Sequence, residues 1–300
     1  MKTCLICIKR NVKLFFRDKG LFFTSLVTPL ILLVLYATFL SNVYSSSYDA
    51  VFKSFNFEVS EKLMNGLVGG QLMGSLLAVS CVTVSFCSNM LMAQDKISGA
   101  RSDMLITPVK RSTIALSYYI ATTISTLIIC FIALTASLIY VGIIGWYLSL
   151  TDVLLLILDV FLLATFGTAL SSVINYFLSS QGQISAVGSI VSSCYGFICG
   201  AYMPLYSFSE GLRSVVMFLP GTYGTSLLKN HALNGVMNEL QNSGLGEQAI
   251  KGLRDSIDCN IYFFGAKVEM GVMYAVVIAS IALLLGAYVL INVLKKKKRA

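Results

Sequence analysis

Few side chains in this sequence could carry out chemistry, and they do not assemble into a catalytic set. His231 is the single histidine, so a Ser-His-Asp or zinc catalytic site is hard to build around it. Cys4 and Cys7 form one C-x-x-C pair. Structural zinc takes four ligands, and no second pair or histidine cluster lies nearby, so the pair reads as two thiols. Cys81, Cys87, Cys130, Cys194 and Cys199 fall inside apolar runs, where a free thiol is a small hydrophobe. Only Cys259 falls in an expected outer loop, which leaves no outer disulfide. No G-x-x-x-x-G-K-[ST] occurs, so no P-loop for ATP is expected. One ionisable residue stands out. Asp159 lies within a long apolar run, about 13 Å along a helix from its start at 1.5 Å per residue. An acid at that depth is costly and faces a bundle interior or an aqueous cavity. It reads either as a pathway contact or proton site, or as a hydrogen-bonded acid holding two helices together, with structure weighing more. Read as a lone acid with no partner cation inside the spans, it speaks against a transporter built on paired charges.

The elements that would position these residues are membrane spans. The chain has 300 residues, is 56% hydrophobic and only 12% charged, against about one quarter charged in soluble domains. So much apolar surface needs lipid as its solvent, and a span needs about 20 mostly apolar residues. Six runs qualify: 21–40, 66–93, 113–144, 150–177, 184–203 and 269–294. The fold class is therefore an all-α integral membrane protein with six transmembrane helices. Pro29 lies inside the first span and frees a carbonyl that neighbours must satisfy. A polar stretch, 41–65, follows as a loop. Gly66, Gly69, Gly70 and Gly74 open the second span and allow close helix approach. Trp146 and Tyr147, in the short turn between the third and fourth spans, suit the headgroup level. Residues 3–19 read as an amphipathic helix, with Leu5, Ile8, Val12, Phe15 and Phe16 on one sector and Lys9, Arg10, Lys13 and Arg17 beside it. Such a helix lies in the membrane interface.

The net charge of +8 would suggest nucleic acid in a soluble protein, but the distribution here follows membrane topology. With both termini inside, fifteen of the 22 Lys and Arg fall on the inner side and seven on the outer side. That positive-inside bias requires an even number of spans, as six is. It places residues 94–112 in the cytoplasm and 204–267 outside. No cleavable leader is expected, and the basic run 295–299 reads as a stop-transfer anchor.

Two stretches together carry a resemblance. The loop Asp95-Lys96-Ile-Ser-Gly99-Ala-Arg-Ser-Asp-Met-Leu105-Ile-Thr107-Pro108-Val-Lys-Arg111 resembles the acid-basic-x-x-G…L-x-(T/S)-P-x-x-R pattern that follows the second span of type-2 ATP-binding-cassette (ABC-2) exporter permeases. Gly200-Ala-Tyr-Met-Pro204…Leu219-Pro220-Gly-Thr-Tyr223, with Lys229 and Ala232-Leu233-Asn-Gly235 beyond, resembles that family's signature after the fifth span. The N-terminal helix ending at Phe15-Phe16-Arg17-Asp18 is similar to its connecting helix. The likeness runs the length of the chain. It departs where Asp95 replaces the usual glutamate, Ser209 a frequent proline and Lys229 a frequent arginine.

The resemblance implies a division into a connecting helix (1–20) and a six-span permease domain (21–300). Within the latter, 94–112 forms a cytoplasmic coupling loop and 204–267 an outer re-entrant and extracellular segment. It implies coupling to an ATPase through Asp95, Lys96, Gly99, Leu105, Thr107, Pro108, Arg17 and Asp18. It implies an outer gate at Pro204, Phe208, Leu219, Pro220 and Tyr223. The partners implied are a separate ABC ATPase carrying ATP and Mg, a second permease copy or homologue, and membrane lipids, with no nucleic acid. The chain itself holds no cofactor and is not an enzyme. The expected function is outward movement of a hydrophobic or amphipathic substrate across a cell membrane, in a bacterium. A secondary ion-coupled transporter and a non-transporting membrane immunity protein are the alternatives. The former should show internal repeats and broken mid-membrane helices, and the first three spans are not repeated in the last three.

Overall fold

The computed structural model describes residues 2–55 and 57–294, so the basic run 295–299 lies outside the described residues. The chain opens with α1 (Lys2–Arg17). Asn11 and Phe15 are buried where this helix packs on α7 (Arg111–Ile144). The apolar sector expected to enter lipid is thus divided: Phe15 is inside the protein, while Leu5 remains exposed. Asp18 breaks the helix and starts the next one by accepting a hydrogen bond from the Leu21 N–H at 3.1 Å, the usual way of satisfying a free helix N-terminus.

Helix α2 (Lys19–Leu35) runs through a π turn, Tyr36–Leu40, directly into α3 (Ser41–Ser54). The loop expected from residue 41 onward is therefore helical as far as Ser54. The polar run Ser45-Ser46-Ser47 reads as loop, but its aromatic neighbours decide otherwise. Tyr44 stacks on Tyr48 with centroids 6.1 Å apart, and Tyr48 and Phe52 are buried. Tertiary burial of one face outweighs the poor helix propensity of serine.

At the centre stands α4 (Glu61–Ser88), with 89% of its apolar stretch buried. It contacts α2, α7, α8 (Leu150–Phe177), α9 (Gln181–Ile198) and α11 (Pro220–Asn242). Apolar contact alone gains little between helices in lipid, so association depends on close backbone approach and interhelical hydrogen bonds. Both occur. A Cβ on Gly70 would stand 2.7 Å from the Ala232 carbonyl oxygen of α11. At the other end of α4, the Asn89 amide donates to the Ser171 and Ser172 hydroxyls of α8, each at 2.9 Å.

Beyond Asn89 the chain makes two short helices, α5 (Met90–Ile97) and α6 (Ala100–Ile106), before α7. A turn through Gly145 leads to α8, started by a reciprocal Ser149–Asp152 capping box. After α9 come a 3-10 turn (Leu205–Ser207), α10 (Glu210–Val216), α11, α12 (Glu247–Ser256), the antiparallel pair β1 (Ile261–Phe263) and β2 (Ala266–Val268), and α13 (Met270–Leu294). Pro220 occupies the first turn of α11, where its missing N–H costs nothing. Gly224 of α11 lies against Leu163, whereas Gly235 lies against Tyr147 in the turn before α8. Helix α11 therefore rises along α8 from mid-length to its beginning. This end of the bundle, opposite α1, α5 and α6, is termed the far end.

Five helical segments are long and apolar enough to cross a membrane: Lys19–Lys53, Glu61–Ile97, Arg111–Ile144, Leu150–Phe177 and Met270–Leu294. The expected span 184–203 corresponds to α9, which ends at Ile198 and is not among the five. Gln181 and Gln183 in its first turn dilute its hydropathy.

Candidate functional site

The first candidate site joins α1, α5 and α7. Asp95 sits in the last turns of α5 and is buried. Arg10 of α1 donates to its Oδ2 at 2.6 Å and to its Oδ1 at 3.4 Å. The Tyr118 hydroxyl of α7 donates to Oδ2, also at 2.6 Å. One carboxylate thus ties three helices through charge-assisted bonds. The hydrogen bond to Asp95 raises Arg10 above its already high ordinary pKa, with burial acting in the opposite direction. Arg10 also donates to the Asn11 side chain at 2.8 Å.

The neighbouring Lys96 reaches the end of α8 instead. Its ammonium donates to the Tyr176 carbonyl at 2.6 Å and to that of Leu178, satisfying acceptors that a helix C-terminus leaves open. In α6, Arg101 donates to Asn292 of α13 and lies 5.6 Å from the centre of the Tyr176 ring. Between the two short helices Gly99 adopts φ 85°, a left-handed conformation that glycine reaches without strain. The outer side of the hairpin faces away from the bundle: Leu105 is 39% and Ile106 is 85% exposed, and Thr107 and Pro108 are exposed too. The Thr107 hydroxyl closes the turn on the Met104 carbonyl at 2.6 Å. Arg17 is exposed, and Asp18 acts as the α2 cap.

A family model described as ABC-2 type transporter matches residues 2–230. The chain belongs to the ABC-2 type transporter family. No curated protein matches it. The chain is thus a multi-pass permease of an ABC-type transporter, a class of transmembrane subunits that are not themselves enzymes. The segment 94–112, expected as a coupling loop, runs from the end of α5 through α6 and into the start of α7.

At the permease's far end the structure corrects the sequence reading of Asp159. The acid is buried on α8 but is not alone. His231 Nδ1 of α11 lies 2.6 Å from its Oδ2, and the Tyr274 hydroxyl of α13 donates to its Oδ1 at 2.7 Å. It therefore joins three helices, where two were expected, and it has a partner that the lone-acid reading lacked. What separates the chain from ion-coupled transporters is the family match, not the absence of a pair.

A second ionic contact was invisible in the sequence. Lys229 of α11 is fully buried. Its ammonium donates to the Gly200 carbonyl at 2.7 Å and lies 3.4 Å from Asp258 Oδ2. Asp258 in turn accepts the Leu205 N–H at 3.0 Å. Burial raises the Asp258 carboxyl above its ordinary value, and Lys229 partly offsets the rise. The expected gate residues lie on the segment between Gly200 and Lys229. Pro204 precedes the 3-10 turn, Phe208 packs on the core, and Leu219 is 40% exposed. Pro220 opens α11, and buried Tyr223 donates to the Met217 carbonyl at 2.7 Å. Leu219 and Pro220 also border an apolar cavity of about 360 Å³, shared with Leu170 and Leu284. The sequence-predicted residues thus form two groups, one where α1, α5 and α7 meet and one between the middle of the bundle and its far end. Arg10, Tyr118, His231, Tyr274 and Asp258 complete these groups and carried no local sequence signal.

Proposed function

We propose that this permease is the membrane half of an exporter energised by a separate ABC ATPase, which docks on α6 and the end of α1. The observation that carries the reading is the contrast within one hairpin. Its inner side is locked to α1, α7, α8 and α13 through Asp95, Lys96 and Arg101, while Leu105, Ile106, Thr107 and Pro108 stand outward. Force applied to the outward side would reach four helices through short, partly buried polar contacts. Gly99 sets the angle between the two arms, and Arg17 and Asp18 lie where α1 turns into α2. ATP and Mg act on the partner chain.

In this reading both termini and the hairpin are cytoplasmic, and a cell membrane, bacterial by the resemblance, holds the protein. A second copy or homologue completes the pathway. Helix α9 serves as the sixth crossing; its 18 residues reach about 27 Å at 1.5 Å per residue, near the thickness of the hydrocarbon core. Residues 204–267 form the re-entrant outer segment, and Pro204, Phe208, Leu219, Pro220 and Tyr223 gate it. Closure of the ATPase pair would release that segment and pass an amphipathic cargo outward, provided that nucleotide binds the two conformations with different affinity. Asp159 is structural here, bracing α11 against α8 and α13. Co-purification should recover a P-loop protein with the permease, and mutation of that partner's Walker lysine should abolish export. Export that persists in the lysine mutant would refute the mechanism.

A further inference from the structure

At the far end, α10, the loop after α12 and the β1–β2 turn enclose a cleft of about 620 Å³, within the size range of small-molecule sites. Its walls are aromatic: Tyr206, Tyr262, Phe263 and Phe264 line it. The Phe263 and Phe264 rings meet edge to face at 4.8 Å, and both pack on Phe218. Its charge is mostly acidic, with Glu210, Asp255 and Asp258 opposed by Arg213. Asp258 is already matched by Lys229. Among the described residues, Asp255 is held by neutral donors: the Asn260 amide at 2.7 Å and the Tyr262 hydroxyl at 3.2 Å. These bonds aim the carboxylate without neutralising it.

The backbone adds an independent sign. Among the described residues, Asp258 (φ 59°) and Phe264 (φ 47°) are the only non-glycine residues with positive φ, and both line this cleft. Phe263 pairs with Ala266, so Phe264 and Gly265 form a two-residue hairpin turn. The first position of such a turn favours Asn, Asp or Gly, and a bulky aromatic is strained there. The Phe264 ring is also 80% exposed, so core packing does not account for it. Strained residues gather where ligands are clamped.

We propose that this cleft binds an organic cation carrying an apolar or aromatic body. Aromatic faces attract cations through their quadrupole, and Glu210 and Asp255 supply the opposite charge. The site belongs to this chain alone and needs neither ATP nor the ATPase, so it stands or falls separately from the exporter reading.

The test is equilibrium binding of radiolabelled tetraphenylphosphonium to the full-length protein in nanodiscs of zwitterionic lipid. Tetraphenylborate, an anion of the same shape, serves as the control. Saturable binding of the cation alone is expected. Combining Glu210→Gln with Asp255→Asn should weaken it about tenfold or more, and Arg213→Gln should tighten it. Phe264→Asn relaxes the turn, so it should leave thermal stability equal or higher while weakening binding several-fold. Absence of saturable cation binding, equal binding of the two ions, or wild-type affinity in Phe264→Asn would overturn the proposal.

Discussion

At the scale of single residues, the far end depends on one buried ammonium. Lys229 has no solvent exposure and serves Gly200 and Asp258 together. Removing one partner of a buried pair leaves the other charge uncompensated, at a cost of about 3–5 kcal/mol. Lys229→Met should therefore lower stability by roughly that amount, read as a fall in the thermal unfolding midpoint of the solubilised protein. The double variant with Asp258→Asn should lose less, because no orphan charge remains. The sign with pH follows from the raised Asp258 carboxyl. An acid whose folded pKa lies above its unfolded value favours the fold at low pH, and that contribution is lost as pH rises through the folded value. Without Lys229 the upward push is unopposed, so the loss should extend to higher pH. Lys229→Met should thus be relatively more stable in acid than at neutrality, and a pH-independent deficit would remove Asp258 from the explanation.

At the scale of elements, the apolar runs that became α4, α7, α8 and α13 were legible because lipid demands long uninterrupted hydropathy. The start of α11 at Pro220 was not read from the sequence, where Pro220 stood only as an expected gate residue, although proline suits a first helical turn. Helix α3 was not legible, since its stability comes from Tyr48 and Phe52 burying against partners distant in sequence. Asp159 was found but not its partners, because His231 and Tyr274 lie on helices whose approach no local pattern encodes. Arg10 and Asp95 pose the same problem; Arg10 reads as an interfacial charge and Asp95 as a residue of the cytoplasmic loop until α1 is packed on α7. The coupling hairpin invites its own experiment. A Cβ on Gly99 would meet nothing within 4 Å, so Gly99→Val would act through the backbone alone, at about 1–2 kcal/mol for a left-handed residue. Pro108→Ala would loosen the end of the exposed arm. The double variant should insert and fold normally, and ATP hydrolysis by the assembled complex should continue while transport per ATP falls about tenfold. Unchanged coupling would take the hairpin out of the transmission path.

At the scale of the whole molecule, the exporter assignment depends on which side of the membrane each end faces. The basic residues concentrate around α1 and the hairpin, and a negative inner surface would hold that end in the cytoplasm. The opposite orientation would put the hairpin out of reach of any ATPase and the aromatic cleft inside the cell. The two can be separated with single cysteines. Five of the eight native cysteines are buried; only Cys4, Cys7 and Cys194 are intermediate or exposed, so replacing those three leaves a background with little reactive thiol. Ser102 on α6 and Lys267 on β2 are both exposed and lie at opposite ends of the bundle. In intact cells, a membrane-impermeant maleimide should label Lys267→Cys promptly and Ser102→Cys only after permeabilisation. Labelling of Ser102→Cys from outside would place the hairpin on the wrong face for an ATP-driven partner, and no adjustment of side-chain contacts could restore the mechanism.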